Sequence, residues 1–365
     1  MRKHEKIPVL WTLFLIFMSL QLIKAHDWNK IKKNIQAIKQ DCGEVCDTSE
    51  NLKLTPGPIF NQVDKNINCD GLFSSKHIDT KDDIIFKHAP SLGEIPQDII
   101  KLFTYQNRLS IREFYFDQAD FSTKKKNDQA RIWSKEIFHQ FETIYNRKGE
   151  MSYLMGYDSE IVYKIADLIE ETMLDKVKNR HVLVIGSDSP WIETILLDKG
   201  AAKITTLEYA NITVEHPKIT VIGPQKFKEL YNNEKKEPLF DAVISYSSVE
   251  HSGLGRYGEA LNPWGDLITM AKAWCLTKSG GKALIGVPSG LDSIIFNGNR
   301  NYGRIMYPHL FANWKILQSQ YKDLFNGVKT NPRKFCPRNS SKNILWCYQP
   351  ITILQKENSV GENIP

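Results

Sequence analysis

A carboxylate and an imidazole stand side by side at Glu250-His251, closing the run Ser245-Tyr-Ser-Ser-Val-Glu-His251. An imidazole has an ordinary pKa near neutrality, so His251 can act as a general base toward a bound hydroxyl, with Glu250 as second candidate. The structural alternatives are that Glu250 caps a helix and that His251 holds a loop through one hydrogen bond. Gly186-Ser187-Asp188-Ser189 is the next feature. A glycine lets backbone approach a ligand closely, and a following helix offers free N–H groups; the alternative is a tight turn in which Ser or Asp caps that helix. Glu208 stands about 20 residues further on, where a carboxylate at a strand end is placed to accept two ribose hydroxyls. It can equally be a surface acid. Gly253-Leu-Gly-Arg-Tyr-Gly258 lacks the lysine and hydroxyl of a phosphate loop. It reads as a lid or substrate loop with Arg256 and Tyr257 as contacts, or as a structural excursion. No second Cys or His pair stands at ligand spacing, so no metal site is expected.

The elements that must position these groups alternate. His181-Val-Leu-Val-Ile185 is a continuous apolar strand, as expected where a parallel sheet is covered on both faces. A helix over Pro190–Lys199, strands over Lys203–Leu207, Lys218–Ile222 and Phe240–Ile244, a helix over Trp264–Leu276 and a strand over Ala283–Val287 follow. The pattern predicts βαβ units in a Rossmann-like, doubly wound, mostly parallel sheet, and in such a sheet ligands bind beyond the carboxyl ends of the strands. Trp314–Tyr321 and Ile344–Leu354 are expected to pair as an antiparallel hairpin at the sheet edge. Before the sheet, Trp28, Ile31, Ile35 and Ile38 recur at helical spacing. Asp98–Phe116 and Ala130–Tyr145 read as mixed helical segments covering the sheet. The expected organisation is a leader over 1–25, a mainly helical extension over 26–150, the α/β domain over 151–356 and a tail over 357–365.

The 365 residues are 41% hydrophobic and 25% charged, with a net charge of +6, a composition able to bury a core. The basic residues are dispersed, so nucleic acid is not an expected partner. Arg2, Lys3 and Lys6 precede an apolar run from Ile7 to Ile23, with Ala25 at a cleavage-like position. That pattern predicts a signal peptide, with an uncleaved membrane anchor as the alternative. Either sends the body into the secretory pathway, to the ER or Golgi lumen or outside the cell. Six cysteines agree with disulfides in that compartment. A Cys336–Cys347 bridge is expected, and Cys275, on the apolar side of a helix, reads as a buried thiol. Asn211-Ile-Thr213 and Asn339-Ser-Ser341 are sequons.

Val182-Leu-Val-Ile-Gly186, Thr206-Leu-Glu208, Phe240-Asp-Ala-Val-Ile-Ser245 with Val249-Glu-His251, and Ser279-Gly-Gly-Lys-Ala-Leu-Ile-Gly-Val-Pro288 together resemble a class I S-adenosylmethionine-dependent methyltransferase. The resemblance implies that Gly186, Ser187 and Asp188 hold the methionine part of S-adenosylmethionine, and that Glu208 binds its ribose. It places Ser247 to His251 opposite the methyl group. The acceptor, a small molecule or a glycan, is not identified by it. The longer run through Pro190-Trp191 with Glu193, Glu208-Tyr209, Ser248–Gly258 and Asn262-Pro263 resembles a nematode-rich family of unknown function over roughly residues 100 to 330. The sequence departs from the methyltransferase pattern in two places: one glycine remains in the first loop, and Ile222-Gly-Pro-Gln225 has no acid near the adenine. The alternative function is therefore a non-catalytic secreted protein that keeps the fold as a binding module.

Overall fold

The computed structural model of the chain describes residues 26–49, 63–79, 86, 88–118, 131–146, 153–154, 157–233, 239–320 and 349–357. Helix α1 (Trp28–Cys42) starts at Asp27, whose side chain accepts the Lys30 N–H, and it buries Ile31, Ile35, Ile38 and Cys42. That stripe repeats every three to four residues, the spacing of one helical face. Helices α2 (Cys69–Ser74) and α3 (Gln97–Phe103) follow, then strand β1 (Ser110–Glu113), strand β2 (Arg131–Trp133) and helix α4 (Lys135–Asn146). The two segments expected to be helical thus each contain a strand. β1 runs parallel to a later strand at Ser293–Phe296, and β2 to one at Ile212–Val214. Both pairings are made by chain more than 80 residues away, so no local period announces them.

A short hairpin of β3 (Tyr153–Leu154) and β4 (Tyr157–Asp158) leads into α5 (Ser159–Thr172) and α6 (Leu174–Val177). Next come β5 (His181–Ile185), α7 (Trp191–Asp198), β6 (Lys203–Leu207), β7 (Ile212–Val214), β8 (Ile219–Ile222), α8 (Pro224–Asn233) and β9 (Phe240–Tyr246). The chain continues through α9 (Gly265–Leu276), β10 (Thr277–Gly286), β11 (Ser293–Phe296), β12 (Asn299–Asn301), α10 (Met306–Leu310), β13 (Trp314–Ser319) and β14 (Ile351–Lys356).

The main sheet has seven strands in the order β13-β14-β10-β9-β5-β6-β8. Strands β8, β6, β5, β9 and β10 are mutually parallel; β14 is antiparallel to β10, and β13 to β14. Numbered by their order within the sheet this is 3-2-1-4-5, the doubly wound plan, extended by an antiparallel hairpin. The fold is Rossmann-like, as the alternation of elements predicts, and has the class I methyltransferase-like plan that the resemblance implies. All seven residues of β9 are buried, and four of the five in β5. Alternate residues serve opposite cores. Leu183, Ile185 and Val243 pack with α1, α2, α3 and α9, whereas Val182, Val184 and Ala242 pack with α4, α5 and α7. The N-terminal extension therefore supplies helices to both faces. β10 begins directly after α9, and its register against β9 shifts between Thr277 and Lys282, across the Gly280-Gly281 pair.

Cys275 is not a free thiol. It is bonded to Cys69, 206 residues earlier, with Cα atoms 5.8 Å apart, which joins α2 to α9. The apolar side of α9 that suggested a buried thiol is the face on which α2 docks. Cys42 and Cys46 form a second, local bridge. Cys336, Cys347, the Asn339 sequon and the apolar leader lie outside the described residues; Asn211 is exposed. Among the described residues no helix is long and apolar enough to cross a membrane, and no group of three His, Cys, Asp or Glu could hold a metal.

Candidate functional site

Strand order reverses between β5 and β9, and a cleft of ≈ 340 Å³ opens beyond the carboxyl ends of β5, β6 and β9. That is within the range of small-molecule sites. Gly186, Ser187, Asp188, Glu208, Ser247 and His251 all line it, brought together because successive parallel strands end on one edge. Glu250 does not line it. Arg256, Tyr257, Asp79, Gln118 and Lys272 do, three of which carried no functional signal in the sequence. Asp79 and Gln118 come from the extension. Lys272, only 2% exposed on an otherwise apolar helix, was legible as an anomaly.

On the β5–β6 wall the polar groups are held by backbone. Gly186 has φ 71°, and a Cβ there would overlap the Ser248 side chain, so only glycine fits. Glu208 Oε2 accepts the Ser187 N–H at 2.9 Å, and Oε1 accepts those of Tyr209 and Ala210 at 2.7 and 3.1 Å. A carboxylate offers about four lone-pair sites, so about one remains, on Oε2. Glu208 can accept one ribose hydroxyl in place, not the two expected of it. Beneath the loop lies Glu193, to which the sequence reading gave no chemical role. It is fully buried and accepts the hydroxyls of Ser187 at 2.9 Å and Thr206 at 2.7 Å. Burial pushes its carboxyl up to about 7, and the two hydroxyls oppose that only in part. Asp188 is ion-paired with Arg131 of β2. Its side chain is engaged by the extension rather than presented alone to a ligand.

The opposite wall follows β9. Ser247 has φ 54°, and its hydroxyl accepts from Gln349 Nε2 at 3.0 Å. His251 Nδ1 lies 2.6 Å from the Gly298 carbonyl in the β11–β12 turn. A carbonyl only accepts, so Nδ1 carries the hydrogen and Nε2 keeps its lone pair. Burial, reinforced by the charge of Arg256, takes the imidazole down to about 3. His251 is therefore neutral at physiological pH.

Glu250 is fully buried, and neither carboxyl oxygen makes a hydrogen bond of ordinary geometry; Oε1 lies 3.6 Å from His251 Nε2. Burial pushes it up to about 8, so it is mostly a neutral acid at pH 7. The segment itself is pinned by Arg300, 1% exposed in its side chain. Its guanidinium donates to the carbonyls of Glu250, Ser252, Asn262 and Pro263 and faces Asp266 Oδ1 at 3.5 Å. One cation on β12 thus holds both ends of the loop that carries Arg256.

No curated protein matches the chain. Among solved structures it is similar to a protein of Streptococcus thermophilus described as a hemolysin, with 14% identity over 58% of this chain and 72% of the other, TM-score 0.36. It is also similar to a protein of Listeria monocytogenes described as an S-adenosylmethionine-dependent methyltransferase, with 13% identity over 54% of this chain and 99% of the other, TM-score 0.33. A third is the 1,6-didemethyltoxoflavin-N1-methyltransferase of Burkholderia thailandensis, with 13% identity over 61% and 85%, TM-score 0.33. Residues 179–353, from just before β5 into β14, match the family described as "Caenorhabditis protein of unknown function, DUF268", the kind of nematode family that the sequence resembles.

Proposed function

We propose that the cleft binds S-adenosylmethionine and that the protein transfers the methyl group to a hydroxyl or carboxyl of an acceptor such as a glycan in the secretory pathway. The observation that carries this reading is the meeting of the Gly186 loop, Glu208 and His251 on one cleft at the switch in strand order. The residues fit such a cofactor. Gly186 leaves the loop backbone free of a side chain, and Glu208 Oε2 retains a site for one ribose hydroxyl. Bound there, the cofactor would supply an activated methyl group on a sulfonium. The chain's own contribution is mainly positioning. With Nδ1 fixed on the Gly298 carbonyl, His251 holds Nε2 as the acceptor for the proton of an attacking hydroxyl. A carboxylate acceptor would need no base. Two disulfides among the described residues support a compartment where such bridges persist.

Calorimetry of the purified chain with S-adenosylmethionine tests the reading. Saturable binding is expected, and its absence at millimolar cofactor in a folded sample overturns it. His251→Ala should keep that binding and lose turnover on a hydroxyl acceptor; retained turnover removes His251 from the chemistry. The second reading, a binding module without catalysis, draws on Glu208, whose oxygens already hold three backbone N–H groups. It predicts an unaltered cleft that takes no cofactor.

A further inference from the structure

The charged side chains around the cleft are satisfied with one exception. Lys272 Nζ is 2.6 Å from Asp79 Oδ2, and Asp188 is paired with Arg131. Glu208 and Glu259 accept backbone N–H groups. Arg256 has no carboxylate within ion-pair distance among the described residues, and its Nη2 makes no hydrogen bond.

The guanidinium is nonetheless fixed in place. Nε donates to Gln118 Oε1 at 2.6 Å, and the Gln118 N–H returns a bond to the Arg256 carbonyl at 3.0 Å. Its central carbon lies 4.1 Å from the centre of the Phe116 ring and 5.1 Å from that of Tyr257. Phe116 is clamped in turn by Asn297, which accepts from its N–H and donates to its carbonyl, both at 2.8 Å. Nη1 meets only the Gly298 carbonyl, at 3.5 Å, the same oxygen that fixes His251. Ordering a long cationic side chain costs rotamer entropy. A planar fork held this way matches a carboxylate through two parallel hydrogen bonds. A dianion such as phosphate fits less well, because the other cleft cation is neutralised by Asp79 while Glu208 and Glu259 stand nearby.

We infer that Arg256 anchors a carboxylate carried by the acceptor, so that the acceptor is an acid such as a uronate or a hydroxy acid, methylated beside that group. The inference rests on the methyltransferase reading for its outcome, though not for the site. The shared Gly298 carbonyl places the anchored acid next to His251. The Arg256 charge is one of the causes that disfavour the imidazolium. A bound carboxylate would offset it and raise the basicity of His251 when an acceptor is present.

Saturation-transfer NMR on the full chain, with glucuronate and lactate as probes and methyl glucuronate and lactamide as neutral counterparts, tests the site. Calorimetry with S-adenosylhomocysteine runs alongside it. The expected result is binding of at least one acid, at least tenfold weaker binding of its neutral counterpart, and loss of the acid signal in Arg256→Gln. Arg256→Lys, which keeps the charge without the fork, should fall between, and thermal melts confirm that both variants fold. Equal binding of acids and neutral counterparts, no binding of either acid, or full retention by Arg256→Gln overturns the inference. So does a selective loss of S-adenosylhomocysteine in Arg256→Gln, which would assign the arginine to the cofactor. Phosphate displacing the acids at equal concentration would overturn the carboxylate assignment. Acid binding through Arg256 with no binding of S-adenosylhomocysteine would leave this site standing and sink the methyltransferase reading.

Discussion

The two walls of the cleft solve the same problem by different means. On the β5–β6 wall, polar side chains are satisfied by backbone N–H groups and hydroxyls, as with Glu208 and Glu193. On the β9 wall, a neutral imidazole and an arginine without a carboxylate share the Gly298 carbonyl, and the buried Glu250 carboxyl lies 3.6 Å from that imidazole. The first wall is nearly satisfied without a ligand, with about one acceptor site left on Glu208 Oε2, whereas the second holds more capacity in reserve. Buried groups left unmatched are costly, and such costs gather where a protein handles a substrate. On the function proposed above, the first wall would take the cofactor and the second the acceptor.

The contrast breaks most severely at Arg300. Removing it in Arg300→Ala leaves Asp266 buried without its cation and takes a donor from four carbonyls. The expected loss is about 3–5 kcal/mol in chemical denaturation; a loss below about 1 kcal/mol would show that the loop does not depend on it. Next is the bridge between α2 and α9, which ties the extension to the helix carrying Lys272. A Cys69→Ser, Cys275→Ser double variant should lose about 2–4 kcal/mol by the same measurement, and an unchanged midpoint would mean that docking alone holds the extension. Glu208→Ala should weaken S-adenosylmethionine by about 1–3 kcal/mol in calorimetry, the worth of a hydrogen bond to a charged group. Unchanged affinity would move the ribose elsewhere.

The smallest effect separates the walls by pH. Glu250 sits at about 8 in the folded protein, above its unfolded value near 4.5, so the folded state binds the extra proton between those limits. Stability therefore falls as pH rises through that window. His251, lowered to about 3, acts in the opposite sense between about 3 and 6.5, and Glu193 reinforces the fall up to about 7. Between pH 7 and 8 Glu250 dominates among these three. Glu250→Gln should flatten the decline of the denaturation midpoint in that interval, and an unaltered slope would show that Glu250 does not titrate there.

Much of the frame was legible because it is local. The apolar run at His181–Ile185, the glycine after it and the acid closing β6 announce a parallel sheet and the edge where it binds ligands. Periodicity and turn chemistry act over a few residues, so one sequence suffices to read them. Glu250 was misplaced because type and position near a loop do not say whether a side chain turns toward the cleft or the core; Asp188 does line the cleft, but its pairing with Arg131 was not legible. Glu193 was given no chemical role because a carboxylate inside a helix usually faces water.

What the sequence determined by itself was the order of strands and helices and the edge on which Gly186, Glu208 and His251 must meet, since hydrophobic pattern and strand polarity impose both. Tertiary structure alone decided the partners. Cys69 joins Cys275, β1 pairs with β11, Gln118 and Phe116 hold Arg256, and Gly298 sets the tautomer of His251. These contacts join segments between 47 and 206 residues apart. At such separations the choice of partner is settled by which faces pack, a property of the whole core that no short run of residues encodes.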